Sequence, residues 1–365
     1  MQRDRSSPNL DFLRSVAVLV VLADHIAQSS GIAHANSAFL LLGRWGVLLF
    51  FVHTSLVLMM SMERLHVDGW SLAKAFYIRR IFRIYPLAIF VISVALVFQI
   101  PPRFHTARYE TPSLVAIVSN YLLCQNVTLS DSIVGPLWSL PYEVQMYVVL
   151  PLIYMFIRPN QALGRISLLW IVAVALGLLQ AKLATIPGTG AWRMGIAEFA
   201  PCFLGGVLAY QISRGERAAG LPGCAWVAIV TAVTAAFLAW QMRLATAEGF
   251  VNYAEWICCL AIGLSINACR EMSVGWFNWL THRVAKYSYG IYLGQVPILW
   301  LVFEKLAPLP PAVQWSLFVA LIIGVPIATY HLIEDPLIRG GSRLASRSVA
   351  GQRDLSALPA LQRKP

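Results

Sequence analysis

Apolar positions along this chain come in long, nearly unbroken runs separated by short polar stretches, at 10–30, 38–62, 84–100, 142–158, 166–186, 193–213, 223–242, 250–269, 286–306 and 313–335. A helix rising 1.5 Å per residue needs about 20 apolar residues to cross about 30 Å of hydrocarbon. The runs approach or exceed that length, so the pattern predicts an all-α, polytopic membrane protein with about ten transmembrane helices. One further apolar stretch, LVAIVSNYLL at 114–123, is too short to span and is read as lying along the interface.

Basic residues sort unevenly between the runs. One set of connecting stretches collects Arg3, Arg5, Arg64, Lys74, Arg79, Arg80, Arg83, Arg158, Arg165, Arg214, Arg217, Arg270, Arg283 and Lys286; the other holds chiefly Arg44, Arg103, Arg108, Arg193 and Arg243. Basic loops are retained on the cytoplasmic side. Both termini are therefore expected to be cytoplasmic, which agrees with an even number of spans. The first run has no small-residue cleavage site after it and is expected to stay as an anchor.

Composition agrees with this reading. Of 365 residues 58% are hydrophobic and 12% charged, with a mean hydropathy of +0.66, too apolar for a soluble domain of this length. The net charge of +11 is spread over loops and a tail, which argues against nucleic acid and for anionic lipid headgroups. Six cysteines, none in a spaced CxxC pair, read as small core residues, and no metal site is expected. We read one membrane domain, 9–338, followed by a basic tail, 339–365, whose polar composition predicts disorder.

Ionisable residues inside the runs are costly and point to function. In VAVLVVLADHIAQSS (16–30), Asp24 and His25 are adjacent, yet neighbours on a helix are rotated about 100° apart. His25 instead shares a face with Arg14, eleven residues earlier and about 16 Å away along the axis. Asp11, one turn before Arg14, is placed to pair with it. An acid orienting His25 should come from another helix, and Glu143 is a candidate: the fourth span enters through GPLWSLPYEVQ, with Ser139 as N-cap and Pro141 in the first turn. FYIRRIFRIYP sets Arg79, Arg80 and Arg83 as a fork suited to phosphate. Glu334 falls near the depth of Arg14 and could neutralise it, and Ser288, Tyr289 and Tyr292 begin the ninth span at that end. His53, on the second span, reads as a hydrogen-bonded core histidine. The chain thus offers two polar layers, one fit for an anion and one with a base and an acid.

Six stretches in order, LDFLRSVAVLVVLADH (10–25), GVLLFFVHTSLVL (46–58), RRIFRIYP (79–86), LWSLPYEVQMYVVLPLI (137–153), YSYGIYLGQVP (287–297) and IEDP (333–336), resemble the acyltransferase-3 family of bacterial membrane acyltransferases. The resemblance covers about 9–338. It implies ten spans in the bacterial cytoplasmic (inner) membrane, acetyl-CoA or another acyl-CoA as co-substrate, and transfer to a hydroxyl of a carbohydrate or glycolipid on the outer face, with glycan-assembly proteins as partners. It implies His25 and Arg14 as the first-span pair and Arg79, Arg80 and Arg83 as the basic motif. Trp138, Ser139, Leu140 and Glu143 fall on its Trp-Ser-Leu motif and the glutamate that follows. This chain departs from the pattern in having Thr54-Ser55 where Ser-Gly is usual, and Gln295 where a histidine is usual.

A glycan hydroxyl needs a base to attack a thioester, and imidazole is the usual choice. His25 is the expected base, with Asp24 or Glu143 tuning it. Arg14, Arg79, Arg80 and Arg83 are expected on the CoA phosphates, and Trp138, Ser139, Tyr142, Ser288, Tyr292 and Glu334 as substrate or structural support. The rival reading is a transporter or flippase of a lipid-linked glycan or small anion that uses Asp24, His25, Glu143 and Glu334 as a proton relay.

Overall fold

The computed structural model describes residues 7–29, 38–102, 109–157, 163–186, 195–214, 220–244 and 253–361. Among the basic residues used to set orientation, Arg3, Arg5, Arg103, Arg108, Arg158, Arg193 and Arg217 lie outside the described residues. The described chain is helical, with a lone bridge between Leu221 and Cys269.

In order the helices are α1 (Pro8–Ser29), α2 (Ala38–Glu63), α3 (Gly69–Val97), the short α4 (Leu114–Tyr121) and α5 (Gln125–Thr128), α6 (Leu140–Ile157), α7 (Leu163–Ala184), α8 (Ile196–Ser213), α9 (Gly223–Leu244), α10 (Tyr253–Ile266), α11 (Gly275–Leu299), α12 (Pro311–Thr329) and α13 (Asp335–Leu361). Each of the ten apolar runs falls on one of them, and the 114–123 stretch is α4. Seven helical segments among the described residues are long and apolar enough to cross a membrane. The helices α1 and α11 stand outside that set, α1 carrying Asp11, Arg14 and Asp24, and α11 carrying Arg283 and Lys286.

The helix α1 is held between α2 and α11. Asn9 anchors its start: its amide N–H donates to Glu271 (3.1 Å), its side chain donates to the Arg270 carbonyl (3.1 Å), and its carbonyl accepts from Trp226 (3.0 Å). One N–H left open by the first helical turn is thus satisfied from across the fold. Small residues let α2 approach its neighbours closely, as is common between membrane helices. A Cβ added at Gly46 would lie 2.5 Å from the Ala17 carbonyl of α1, and one at Gly206 of α8 would lie 2.1 Å from the Val52 carbonyl. Ser55, where the resemblance implies glycine, is fully buried there and donates to the Phe203 carbonyl at 2.6 Å. The room for that crossing comes from Gly206 instead.

Three boundaries differ from the sequence reading, one being the ninth span, whose helix begins at Gly275 rather than at 286. The third span begins at Gly69 rather than near 84, because Arg79, Arg80 and Arg83 interrupt the apolar run without interrupting the helix. The tail expected to be disordered from 339 is instead helical through Leu361, as α13, which lies along α3. Its composition is polar, but Ala345 is fully buried and Gly341 meets Phe82 so closely that an added Cβ would sit 2.5 Å from that ring's own Cβ. These two small residues, one turn apart, give the helix a packing edge. An Arg339–Asp335 ion pair at 2.5 Å supports its first turn.

Candidate active site

Two cavities lie on the inner faces of α1, α2 and α11. The first, about 80 Å³, is lined by Arg14, His53 and Thr54, by Arg80 and Arg83 of α3, by Glu143 and Tyr147 of α6, and by Ser288, Tyr289 and Tyr292 of α11. Arg14 Nε donates to Ser288 Oγ at 2.6 Å, and Arg83 pairs with the buried Glu334 at 2.8 Å. The Glu143 carboxylate accepts from the Tyr147 hydroxyl, and Thr54 also hydrogen-bonds it. Nε of Arg80 has no partner among the described residues. Three arginines set against Glu143 and Glu334 leave one positive charge in excess, so the cavity suits an anionic or electron-rich guest.

Several expected pairings are replaced by others. Arg79 is on the same turn as Arg80 and Arg83 but does not line the cavity. Glu334 pairs with Arg83 and not with Arg14. Asp11 faces His282 Nδ1 at 2.9 Å and is not a partner of Arg14. Glu143 shares the cavity of Arg14 and does not reach that of His25. The cause lies in residues 135–139, which form a tight 3₁₀ turn with Pro136, Leu137 and Ser139 already buried before α6 begins. That turn carries the chain inward, so Glu143 enters deeper than a helix starting at the surface would place it. Ser139 directs its hydroxyl to that of Tyr292, at 2.7 Å.

The second cavity, about 360 Å³, is lined by Val21, Asp24, His25, Gln28, Gly43, Arg44, Val47, Trp138 and Tyr292. His25 is in hydrogen-bonding contact with the Gln295 side chain, and Gln295 is itself fully buried and donates to the Tyr292 carbonyl at 3.0 Å. Gln295, where the resemblance implies a histidine, is therefore the residue against His25. Asp24 turns to Gln28, accepting at 2.9 Å through Oδ2, while its Oδ1 has no partner among the described residues. Gly43 leaves the notch that Asp24 fills, since an added Cβ would sit 2.0 Å from Oδ2.

Tyr292 and Val47 line both cavities. The Tyr292 hydroxyl donates to the Pro136 carbonyl at 2.8 Å. Its ring is thereby fixed as a partition between the two spaces.

One cluster was missed from sequence. Arg44 of α2 meets Glu198 of α8 at 2.5 Å and also Glu255 of α10, whose side chain is fully buried, and its guanidinium lies 5.4 Å from the Phe199 ring centre. Tyr142 packs on the same ring at 4.7 Å and Trp138 at 5.9 Å. The signal available was a charge near one end of each of three separate runs, with opposite signs. Among the described residues no group of three or more His, Cys, Asp or Glu is placed to hold a metal ion.

With this geometry in view, the profile of the acyltransferase-3 family, described as an acyltransferase domain, matches residues 7–331. The chain belongs to the acyltransferase-3 family. It is 24% identical over 378 aligned positions to the putative peptidoglycan O-acetyltransferase YrhL of Bacillus subtilis, covering 95% of this chain and 57% of that protein. It is 25% identical to the peptidoglycan O-acetyltransferase OatA of Listeria monocytogenes, covering 92% of this chain and 56% of that protein. The O-acetyltransferase OatA of Staphylococcus aureus is 29% identical over 194 positions, 49% of this chain and 30% of that protein. This acyltransferase-3 chain thus spans a little over half the length of the first two relatives. No solved structure matches it.

Proposed function

We propose that this chain is a membrane O-acyltransferase that takes an acyl group, acetyl in the simplest case, from acyl-CoA at the Arg14 end and delivers it to a carbohydrate hydroxyl at the His25 end. The observation that carries this reading is the pair of cavities divided by a single shared ring. One has excess positive charge, the other holds an imidazole, and among the described residues Tyr292 and Val47 line both. The relatives are named as O-acetyltransferases, two of them of peptidoglycan, which supports a carbohydrate acceptor. The uneven distribution of basic residues supports a cytoplasmic Arg14 end and a bacterial inner-membrane location.

In this reading Arg79, Arg80 and Arg83 receive the donor phosphates as it enters, and Arg14, fixed by Ser288, polarises what lies deepest in the first cavity. His25 accepts the proton of the acceptor hydroxyl as its oxygen attacks the thioester carbonyl carbon. The C–O bond forms, the C–S bond breaks, and the sulfur leaves with CoA and takes up a proton. Gln295 orients the imidazole; Asp24 is turned away from it and holds the cavity wall. Glu143, held by Tyr147 and Thr54, balances the charge of the arginines and takes no part in tuning His25. A separate glycan-assembly protein would present the acceptor. The transporter reading has less support, because the relatives are named for group transfer rather than export.

The test is transfer of radiolabelled acetyl from acetyl-CoA to surface glycan by the purified protein in liposomes, with His25→Ala beside the parent. Label in glycan with the parent and none with the variant is expected. Intact acetyl-CoA and unlabelled glycan with the parent, together with loss of glycan export from cells lacking the gene, would favour the transporter and overturn the proposal.

A further inference from the structure

Between α3 and α6 the chain builds a cap from α4, α5 and the 3₁₀ turn at 135–139. A groove of about 1,130 Å³ runs along it, walled by Tyr109, Glu110, Gln125, Asn126, Ser130 and Asp131, and it ends at Trp138 and Tyr142. Trp138 also lines the His25 cavity. One indole therefore belongs to both spaces, and a guest at that end of the groove has Trp138 between it and the His25 cavity.

The walls of the groove define the chemistry of that guest. Gln125 is 2% exposed; its Nε2 donates to the Leu137 carbonyl at 2.9 Å, and its Oε1 has no partner among the described residues. A buried amide oxygen left without a donor is destabilising, and a ligand that brings an O–H removes that penalty. On the other side of Trp138, Asp24 Oδ1 is an acceptor in the same condition. A waiting acceptor in each of two spaces that share one indole fits a ligand with hydroxyls on its edges and apolar C–H faces between them, which describes a sugar chain. Size points the same way. Pockets for drug-sized ligands run to about 1,000 Å³, and this groove exceeds that before the His25 cavity is added.

We infer that the groove holds the saccharide units next to the one that is acylated, so that the acceptor is selected as an oligosaccharide segment several units long, with Gln125 Oε1 accepting a sugar hydroxyl. This rests on the O-acyltransferase reading above. It adds that a single sugar or small alcohol is a poor acceptor, and it assigns the discrimination to Tyr109, Gln125 and Asp131.

The experiment uses surface glycan from cells lacking the gene, cleaved and separated by size, with the purified full chain in liposomes and radiolabelled acetyl-CoA. Labelling efficiency per molecule should rise with fragment length and level off once the groove is filled, by at least about tenfold from monosaccharide to plateau, as a few added hydrogen bonds would give. Tyr109→Ala on the groove rim and Gln125→Leu in its wall should each pull the long-to-short ratio towards one, with monodispersity and thermal unfolding confirming that the variants are folded. Equal labelling at every length in the parent, or an undiminished ratio in both folded variants, overturns the groove assignment and leaves the transferase reading standing. Unlabelled fragments of every size beside intact acetyl-CoA overturn both.

Discussion

The space around Arg14 and the space around His25 lie on either side of Tyr292 and are built on different plans. Around Arg14, in about 80 Å³, the side chains hold one another: Arg14 by Ser288, Arg83 by Glu334, Glu143 by Tyr147. Around His25, in about 360 Å³, Asp24 keeps one oxygen without a partner among the described residues, and the wall opens through Trp138 towards the cap groove. Charged groups prepaired in a tight space suit a guest that is the same at every turnover, since no reorganisation is needed when it arrives. A roomier space with acceptors waiting suits a guest whose identity differs from one surface polymer to another. The comparison suggests a conserved role for the first cavity's ligand and a variable one for the second's.

Substitutions can break this contrast, and the largest effect is expected at His25. Loss of a positioned base lowers rate by about 10²–10⁴-fold, so His25→Ala should nearly abolish transfer while acyl-CoA still binds, as titration calorimetry would read. Loss of donor binding in that variant would place His25 in the wrong cavity. Next is Arg44→Met, which leaves the buried Glu255 facing Glu198 without a cation. Removing one member of a buried pair costs about 3–5 kcal/mol, visible as a markedly lower unfolding temperature in detergent, and an unchanged temperature would show that the cluster is not holding α2, α8 and α10 together.

Third is Arg80→Ala, expected to weaken donor binding by about 10–100-fold, the range for losing a charged hydrogen bond. An effect on acceptor use with donor affinity intact would contradict the division of labour. Smallest is Arg79→Ala, half-buried but outside the cavity lining, with a loss below about threefold. Should Arg79→Ala match Arg80→Ala, the donor would extend further along α3 than the cavity suggests.

Much of this contrast could be read from the chain. The runs of apolar residues mark the helices because hydrocarbon demands them, and the separation of Asp24 from His25 follows from 100° of helical rotation alone. Depth was harder to read. A fourth span that began at the surface would make Glu143 a partner for His25, whereas the buried turn at 135–139 comes first. Pairing between helices was not legible: Asp11 to His282, Glu334 to Arg83 and the Arg44 cluster depend on which helices become neighbours, and no local pattern encodes that. The tail failed for a different reason. Its composition resembles a disordered segment, and only Gly341 and Ala345, two small residues in register with α3, reveal that it packs.

If the proposed transfer across the bilayer holds, the ring of Tyr292 would also have an electrical role. An enzyme that hands an acyl group through a bilayer must not let protons follow, or it would short-circuit the gradient of its own cell. Tyr292, held by the Pro136 carbonyl and Ser139, with Val47 beside it, would then be the insulating layer between the two cavities it lines. Its size sets how far the membrane's resistance can be thinned at that point without a leak.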